Sequence, residues 1–253
     1  AGATRAAVAE LRPDTVLHLA AQSFVPRSFE APAETLEINL FGTLNLLQAL
    51  DAAGFSGRLL YVSSADVYGQ VQAETLPIGP EHPTAPRSPY AVSKLAAETL
   101  CQQWQRCHGL DLVIVRPFNH VGPGQDLRFV VPALAGQVRR VARGEADRIV
   151  TGDLSASRDF LDVRDVVRAY AALLLRGESG GIYTLGSGHE RRIDSVLEQL
   201  CRLAGVRPRI ELDPARLRPS EQRRVCADPS LLMAHTGWSP RLRFEQTLSD
   251  ILA

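Results

Sequence analysis

The sequence predicts an α/β fold built on a parallel sheet, and three observations carry that expectation. Short apolar runs alternate with amphipathic helical stretches along the chain. The first three runs are apolar throughout, as strands covered on both faces are. Helix punctuation falls where such a pattern needs it: Pro32 and Pro89 suit first-turn positions, and Gly54, Gly109, Gly177 and Gly205 suit helix ends.

Taken in order, Ala1–Leu11 reads as a helix that leads into a strand at Thr15–Leu19. A helix over Pro32–Ala53 and a strand over Arg58–Ser63 follow. The loop Gly69–Ser88 is rich in proline, and a loop of that length is more often functional than idle. Beyond it the pattern gives a helix Pro89–His108, a strand Asp111–Arg116, a helix Val130–Gly144 and a strand Arg148–Thr151. It then gives a helix Val163–Arg176, a strand Gly181–Leu185 and a helix Ile193–Ala204. Gly186-Ser187-Gly188 follows a strand and precedes a helix but lacks a third small residue, so it reads as a plain strand-to-helix turn. The sequence contains no internal repeat and no low-complexity tract.

The 253 residues suffice for one large or two small domains, and 45% are hydrophobic. No stretch reads as a signal peptide or a membrane span. Lys plus Arg (28) equals Asp plus Glu (28), so charge gives no reason to expect nucleic acid or an anionic membrane as partner. Cys101, Cys107, Cys201 and Cys226 form no CxxC pair, and Cys101, Cys107 and His108 fit no common zinc spacing. No metal is expected, and a reducing, cytoplasmic setting fits the cysteines. Lys94 is the single lysine; every other basic residue is arginine. Arginine cannot stand in where a compact ammonium is needed, so this position draws attention first.

Tyr90-Ala-Val-Ser-Lys94 lies on an expected helix, where a spacing of four puts both side chains on one face. A nearby ammonium favours the phenolate and is expected to lower the tyrosine pKa, making it a usable acid/base. A surface pair at this spacing is the bland alternative. A lone lysine placed at random would fall four residues after one of the five tyrosines in only about 2% of cases, a match count that favours chemistry. Tyr61-Val-Ser-Ser-Ala-Asp-Val-Tyr-Gly69 sits at a strand end, where open α/β sheets bind ligands. A serine there can donate to a substrate carbonyl oxygen. It could equally cap its own backbone.

VSSADVYG, SPYAVSK and RPFNHVGPG, together with HLAAQ at His18–Gln22 and SRDFLDVRDV at Ser157–Val166, resemble the extended short-chain dehydrogenases/reductases that act on nucleotide sugars. The similarity covers nearly the whole chain. It implies a Rossmann-type doubly wound parallel sheet with a smaller C-terminal α/β substrate domain. Residues 1–125 and 160–186 would form the first unit, 126–159 and 187–253 the second. It implies Ser64 as the catalytic serine, Tyr90 as the acid/base and Lys94 as its partner and ribose ligand. Leu19, Ala20, Ala21, Gln22 and Ser63 would line an NADP(H) or NAD(H) cofactor, with Tyr90, Lys94 and Pro117, Phe118, Asn119 and His120 at its nicotinamide end. That family opens on a GxxGxxG turn and a first βαβ unit that this sequence does not contain. The expectation is therefore that the native protein carries roughly 40–60 further residues before Ala1, the size of such a unit, and that the cofactor cleft is damaged without them.

Within the family, LAAQSFV, PFNHVGPG, Phe129-Val130 and Arg218-Pro-Ser-Glu221 resemble the branch that holds GDP-mannose 4,6-dehydratases and GDP-4-keto-6-deoxy-D-mannose reductases. The resemblance implies that Asn119, Phe129 and Val130 touch the GDP-sugar, that Arg218 and Arg158 meet its diphosphate and that Glu221 meets its ribose. Ser64 and Asp66 would face the sugar. Dehydratases of this kind carry threonine, then serine or aspartate, then glutamate where this chain has Ser64, Ala65 and Asp66. Aspartate is one methylene shorter, and a base misplaced by about 1 Å costs on the order of a hundredfold. GDP-fucose synthases epimerise with a cysteine and a histidine at positions that correspond to Ala65 and Phe129. The expected reaction is thus reduction of the C4 ketone of GDP-4-keto-6-deoxy-D-mannose to GDP-D-rhamnose. A GDP-mannose 4,6-dehydratase, another nucleotide-sugar dehydratase or epimerase, and a non-catalytic cofactor-binding scaffold stay as alternatives. A homodimer is expected, formed by a four-helix contact of Pro32–Ala53 and Pro89–His108, with Leu36, Leu40, Leu44 and Leu47 as an apolar stripe.

Overall fold

A computed structural model describes residues 1–216 and 222–253. Four parallel strands form the main sheet in the order β1 (Thr15–His18), β2 (Arg58–Val62), β3 (Asp111–Pro117) and β7 (Ile182–Leu185). Register pairs His18 with Tyr61, Val62 with Val115 and Pro117 with Leu185, so the carboxyl ends of the strands lie along one edge. Helix α1 (Gly2–Leu11) leads into β1, and α2 (Val25–Glu30) follows it. Next comes one continuous helical stretch: α3 (Pro32–Leu36), a π-helical turn (Glu37–Phe41) and α4 (Gly42–Ala52). Helix α5 (Pro89–His108) has the expected bounds, with Pro89 in its first turn and the Ser88 hydroxyl accepting from Ala91 N at 3.0 Å.

The sheet is covered on both faces, which makes it doubly wound. Alternate residues of β2 and β3 diverge, as side chains of a strand must. Leu59, Tyr61, Leu112 and Ile114 pack with Leu47, Ala97 and Cys101 of α4 and α5. Leu60, Val62, Val113 and Val115 pack with Val166, Tyr170 and Leu173 of α7 (Val163–Arg176). Leu232 of α9 (Ser230–Thr236) and Trp238 join that second core, although their segment is expected to go with the smaller unit. β1 departs from the expectation of a strand buried on both faces. It lies at the sheet edge, and its residues alternate between exposed and half-buried.

The smaller unit has its own core. Helices α6 (Val130–Ala142), α8 (Ile193–Leu203) and α10 (Phe244–Leu252) bury Val131, Leu134, Val138, Val196, Leu200 and Leu248 together. Two small sheets accompany them. β4 (Asn119–Val121) and β8 (Glu190–Arg192) flank β6 (Ser157–Asp162), and β5 (Arg148–Thr151) pairs with β9 (Arg209–Leu212). β4, β6, β8 and β9 were not expected. β6 hides because its buried residues include Asp159 and Asp162, which a hydrophobic pattern cannot flag. α2, α9 and α10 also escaped, the first two because six and seven residues are too few to show a period.

The long loop after β2 is fastened rather than free. A one-residue bridge joins Ile78 to Ala227, and Ala85 N donates to Val67 O at 2.9 Å. Gly69 makes that approach possible: at φ +65° it turns where a side chain would meet Ala85 O.

The Gly186-Ser187-Gly188 turn is a clamp. The fully buried Asp159 carboxylate accepts from Ser187 N (2.7 Å), Ser187 Oγ (2.6 Å), Gly188 N and Ala227 N (both 3.0 Å). A Cβ at position 186 would collide with that carboxylate at 2.6 Å. Asp159→Ala strands three backbone donors, each worth roughly 1–3 kcal/mol when buried and unpaired. The variant is expected to lose on the order of 3 kcal/mol or more of stability, read as a lower urea midpoint with an unchanged slope.

Candidate active site

Ser63 and Ser64 leave the end of β2 next to β3, with Ser63 N donating to Val115 O at 2.8 Å. Ser64 then caps a 3-10 turn (Ala65–Tyr68), its hydroxyl accepting from Asp66 N at 3.1 Å. Capping, posed by the sequence as an alternative to chemistry, leaves room for it, because an oxygen that accepts one backbone bond still has its proton to donate. The first turn of α5 brings Tyr90 to Ser64, and Lys94 follows one turn later. Tyr90 is 8% exposed and Lys94 4%.

Burial governs the electrostatics. It pushes the Tyr90 phenol up to about 12; the negative charge of Asp66 raises it further, and a side-chain hydrogen bond with Ser64 opposes the rise. This corrects the expectation that the neighbouring ammonium would lower it: desolvation of the phenolate is the larger effect. Lys94 is itself pushed down to about 8 by burial, against the pull of Cys101 and Glu98. At neutral pH both groups therefore carry their protons. Asp66 opens into the cleft, yet protein surrounds it closely enough to raise its carboxyl above the ordinary range, with Arg158 opposing.

A polar network absent from the sequence reading locks the Tyr90–Lys94 helix to the β1 end. Buried Asn39, in the π-helical turn, accepts from Gln22 N at 2.7 Å and donates to Gln22 O at 3.0 Å and Ser93 Oγ at 2.9 Å. Ser93 Oγ donates to Tyr90 O at 2.7 Å, and Gln22 Nε2 donates to Thr35 Oγ1 at 3.0 Å. Thr43 gives its proton to Asn39 O at 2.6 Å, so at 3.0 Å the His18 Nε2–H is the donor to Thr43 Oγ1. A signal was available: Thr35, Asn39 and Thr43, spaced by four, form a polar stripe on a helix otherwise rich in leucine.

The remaining expected residues ring the same sheet edge. Leu19 and Ala20 are exposed and Ala21 half-buried just past β1. Pro117 and Phe118 are buried, the Phe118 ring packing with Tyr68 and Ile78, so only their backbone is available to a ligand. Asn119 and His120 are exposed on β4, where burial and a backbone bond to Phe118 act in opposite senses on His120 and burial wins, lowering its pKa. Phe129 meets Phe24 edge-on at 6.4 Å between ring centroids, and Arg128 covers Phe24 at 4.8 Å. Val130 opens α6 and is exposed. Arg158 is half-buried, acts on Asp66 and donates to Ser157 O at 2.8 Å. Arg218 and Glu221 lie outside the described residues. The residues fit a nicotinamide dinucleotide: among the described residues the buried Ser63 Oγ has no hydrogen-bond partner, and the Lys94 ammonium makes no hydrogen bond or ion pair that would occupy its donors.

His18 gives a pH test of this network. Burial, and then the charge of Lys94, lower its pKa from 6.5 to about 4. Its folded pKa is depressed, so its contribution is complete above pH 6.5 and is lost as pH falls towards 4. The loss is up to about 3 kcal/mol. His18→Gln is expected to flatten the dependence of urea midpoint on pH across that window, relative to the unsubstituted protein.

The family described as GDP-mannose 4,6 dehydratase matches residues 1–251. A GDP-6-deoxy-D-mannose reductase of Pseudomonas aeruginosa is 52% identical over 242 residues, which are 95% of this chain and 80% of that one. The solved structure of RMD from Pseudomonas aeruginosa complexed with NADPH superposes with a TM-score of 0.92 at 51% identity, covering 95% of this chain and 80% of that chain. UDP-glucose 4-epimerase of Thermus thermophilus complexed with NAD gives a TM-score of 0.88 at 34% identity over 99% of this chain and 80% of that chain. With the parallel sheet, the Ser64–Tyr90–Lys94 cluster and a match along almost its whole length, the chain belongs to the GDP-mannose 4,6 dehydratase family and has the Rossmann-type fold of the short-chain dehydrogenases/reductases.

Proposed function

We propose that the protein is an oxidoreductase that reduces the C4 ketone of GDP-4-keto-6-deoxy-D-mannose to GDP-D-rhamnose with NADPH or NADH. The observation that carries this reading is Tyr90, whose phenol is held in its acid form beside Ser64, in a chain 52% identical to a GDP-6-deoxy-D-mannose reductase. Ketone reduction needs an acid at that place, and a tyrosine at about 12 stays one throughout the neutral range. A bound nicotinamide would supply the hydride for C4. Ser64 and Tyr90 polarise the ketone oxygen from one side, and Tyr90 delivers its proton to that oxygen, giving the alcohol. Lys94 balances the phenolate left behind and holds the cofactor ribose, while Ser63, Gln22 and the Leu19–Ala21 segment line its cleft. Asn119, Phe129 and Val130 position the sugar and base, with Arg158 and Arg218 on the diphosphate and Glu221 on the ribose. Ala65 carries no proton, and Asp66 is too short to take the C5 proton that a dehydratase must remove.

In assays of the full-length protein, GDP-4-keto-6-deoxy-D-mannose and NADPH should yield GDP-D-rhamnose, while GDP-mannose with NADP+ should give no 4-keto product. The opposite pair of results would identify a dehydratase. Tyr90→Phe should lose most turnover yet keep GDP-sugar binding, since the ring still packs. Lys94→Arg should fail too, because a planar fork does not fit a point ammonium. Turnover of the unsubstituted enzyme should fall as pH rises through about 8, where Lys94 loses its proton.

The reading includes a cytoplasmic homodimer. All four cysteines are free thiols, as a reducing compartment allows, and among the described residues no helix is long and apolar enough to cross a membrane. The stripe expected to form the contact is half-buried at Leu36, Leu40 and Leu44 and fully buried at Leu47, and Leu40 and Leu47 pack in the subunit core. The outer face of the same helices instead shows Ile38 (43% exposed), Phe41 (53%) and Val92 (45%), an apolar patch that suits a second copy. Light scattering of the full-length protein at micromolar concentration should give a dimer, and Phe41→Asp should give a monomer.

A further inference from the structure

Lys94 has an unusual environment for a buried cation. Among the described residues no carboxylate comes within ion-pair distance of its ammonium. The nearest acid along its own helix is Glu98, one turn on, and both oxygens of Glu98 are occupied by Arg116, one at 3.1 Å from Arg116 Nε and the other by Arg116 Nη2. What lies against the ammonium is an aromatic face: Lys94 Nζ sits 4.9 Å from the centroid of the Tyr61 ring. Tyr61 is held there from both ends. Its backbone belongs to the centre of the sheet, in register between His18 and Ile114, and its hydroxyl donates to the backbone oxygen of Lys94 itself at 3.3 Å. The His18 ring lies at 5.8 Å from the Tyr61 ring, tilted by 49°. A ring fixed at its backbone and at its hydroxyl has little freedom, and its electron-rich face attracts a desolvated cation more strongly than an exposed one.

We propose that Tyr61 is the positioning residue for Lys94, presenting its ring face to the ammonium and its hydroxyl to the lysine carbonyl so that the side chain is held extended and charged at the mouth of the cofactor cleft. This rests on Lys94 acting as Tyr90's partner. The charged and titratable groups around Lys94 are few: Tyr90, Glu98 and Cys101 on α5, His18 on β1 and Tyr61 on β2. Glu98 and Cys101 favour the ammonium and burial opposes it. His18 stays neutral until the pH nears 4. Tyr61, whose own hydroxyl burial pushes well above the ordinary tyrosine range, also stays neutral, so it offers Lys94 a quadrupole and no charge. An aliphatic residue would fill the same space with nothing to offset desolvation.

The chain's single lysine makes a direct measurement possible. In protein labelled with [13Cε]lysine, the signal that Lys94→Arg removes is that of Lys94, and its titration reads this group directly. Tyr61→Phe is compared with 3,5-difluoro- and 3,4,5-trifluorophenylalanine at position 61, which weaken the ring face in steps while hardly changing its shape. The Lys94 midpoint is expected near 8 in the unsubstituted protein and should fall with each added fluorination, by roughly half a unit or more across the series. Tyr61→Leu, if it folds, should fall at least as far as the trifluoro variant. A Lys94 midpoint that stays constant from phenylalanine to trifluorophenylalanine overturns the proposal, because a ring acting only as packing would not sense its own electron density. The basic limb of turnover, measured on the same proteins, separates the two readings. If the lysine signal moves and the limb does not, the role of Lys94 in turnover is wrong and the role of Tyr61 stands.

Discussion

The site depends on a guanidinium buried in the middle of the fold. Arg116, near the end of β3, reaches across to α5 and grips Glu98 with two nitrogens, while its third nitrogen donates to Tyr68 Oη and Pro80 O, both at 3.0 Å. Its planar face also covers the Tyr68 ring at 5.0 Å. One side chain thus joins the strand behind the site, the helix that carries Tyr90 and Lys94, the turn that follows Ser64, and the proline-rich loop. Buried ion pairs are weak sources of net stability, since desolvation offsets much of the attraction. Their geometry is nevertheless strict: all three Arg116 nitrogens and both Glu98 oxygens are engaged, which constrains how α5 lies against the sheet. By occupying Glu98, the same pair leaves the Lys94 ammonium without a carboxylate, which the ring of Tyr61 then faces.

The second constraint is the run of aspartates in the stretch from Ser157 to Val166. Asp159, Asp162 and Asp165 recur every three residues, and all three are buried. Each fastens a different part of the smaller unit to the sheet. Asp159 holds the turn after β7 and the strand-like segment at Ala227. Asp162 caps α7 through Arg164 N at 2.8 Å and accepts from Thr247 of α10 at 2.7 Å. Asp165 accepts from the backbone of Arg241 and Leu242 at 2.9 and 3.0 Å. Carboxylates suit this task because one group can accept several backbone donors at once. The same stretch lies between the two cores, with Phe160 buried in one and Leu161 in the other.

Electrostatics at the site follow from burial more than from pairwise charge. Tyr90 and Lys94 shift in opposite directions, and both shifts have the same first cause, removal of the charged form from water. The result suits proton donation, since phenol and ammonium are both protonated at neutral pH. A spacing rule that places an ammonium near a phenol foresees the pair, yet it has no access to how much water the fold removes from each.

The sequence by itself determined the alternation of strand and helix, the bounds of α5 and α7, and the placement of Tyr90 and Lys94 one turn apart on one helix, whereas Ser64 was singled out through the family resemblance. These are local properties: an apolar period, a proline in a first turn, and a spacing of four on one helix. It also marked the Gly69–Ser88 loop as long and rich in proline, while its fastening to Ala227 and Val67 is tertiary. Only the tertiary structure decided the rest. β6 buries Asp159 and Asp162 beside Phe160 and Leu161, and distant backbone donors from Ser187, Gly188 and Ala227 converge on Asp159. Of the leucine stripe only Leu47 became fully buried, and Asn39, in the π-helical turn, became the link between Gln22 and the Tyr90 helix. The Tyr61 ring meets Lys94 only once parallel pairing and helix packing bring residues 33 positions apart to 4.9 Å. Such contacts carry no trace in local pattern, since their energy arises between residues that the chain keeps apart until it folds.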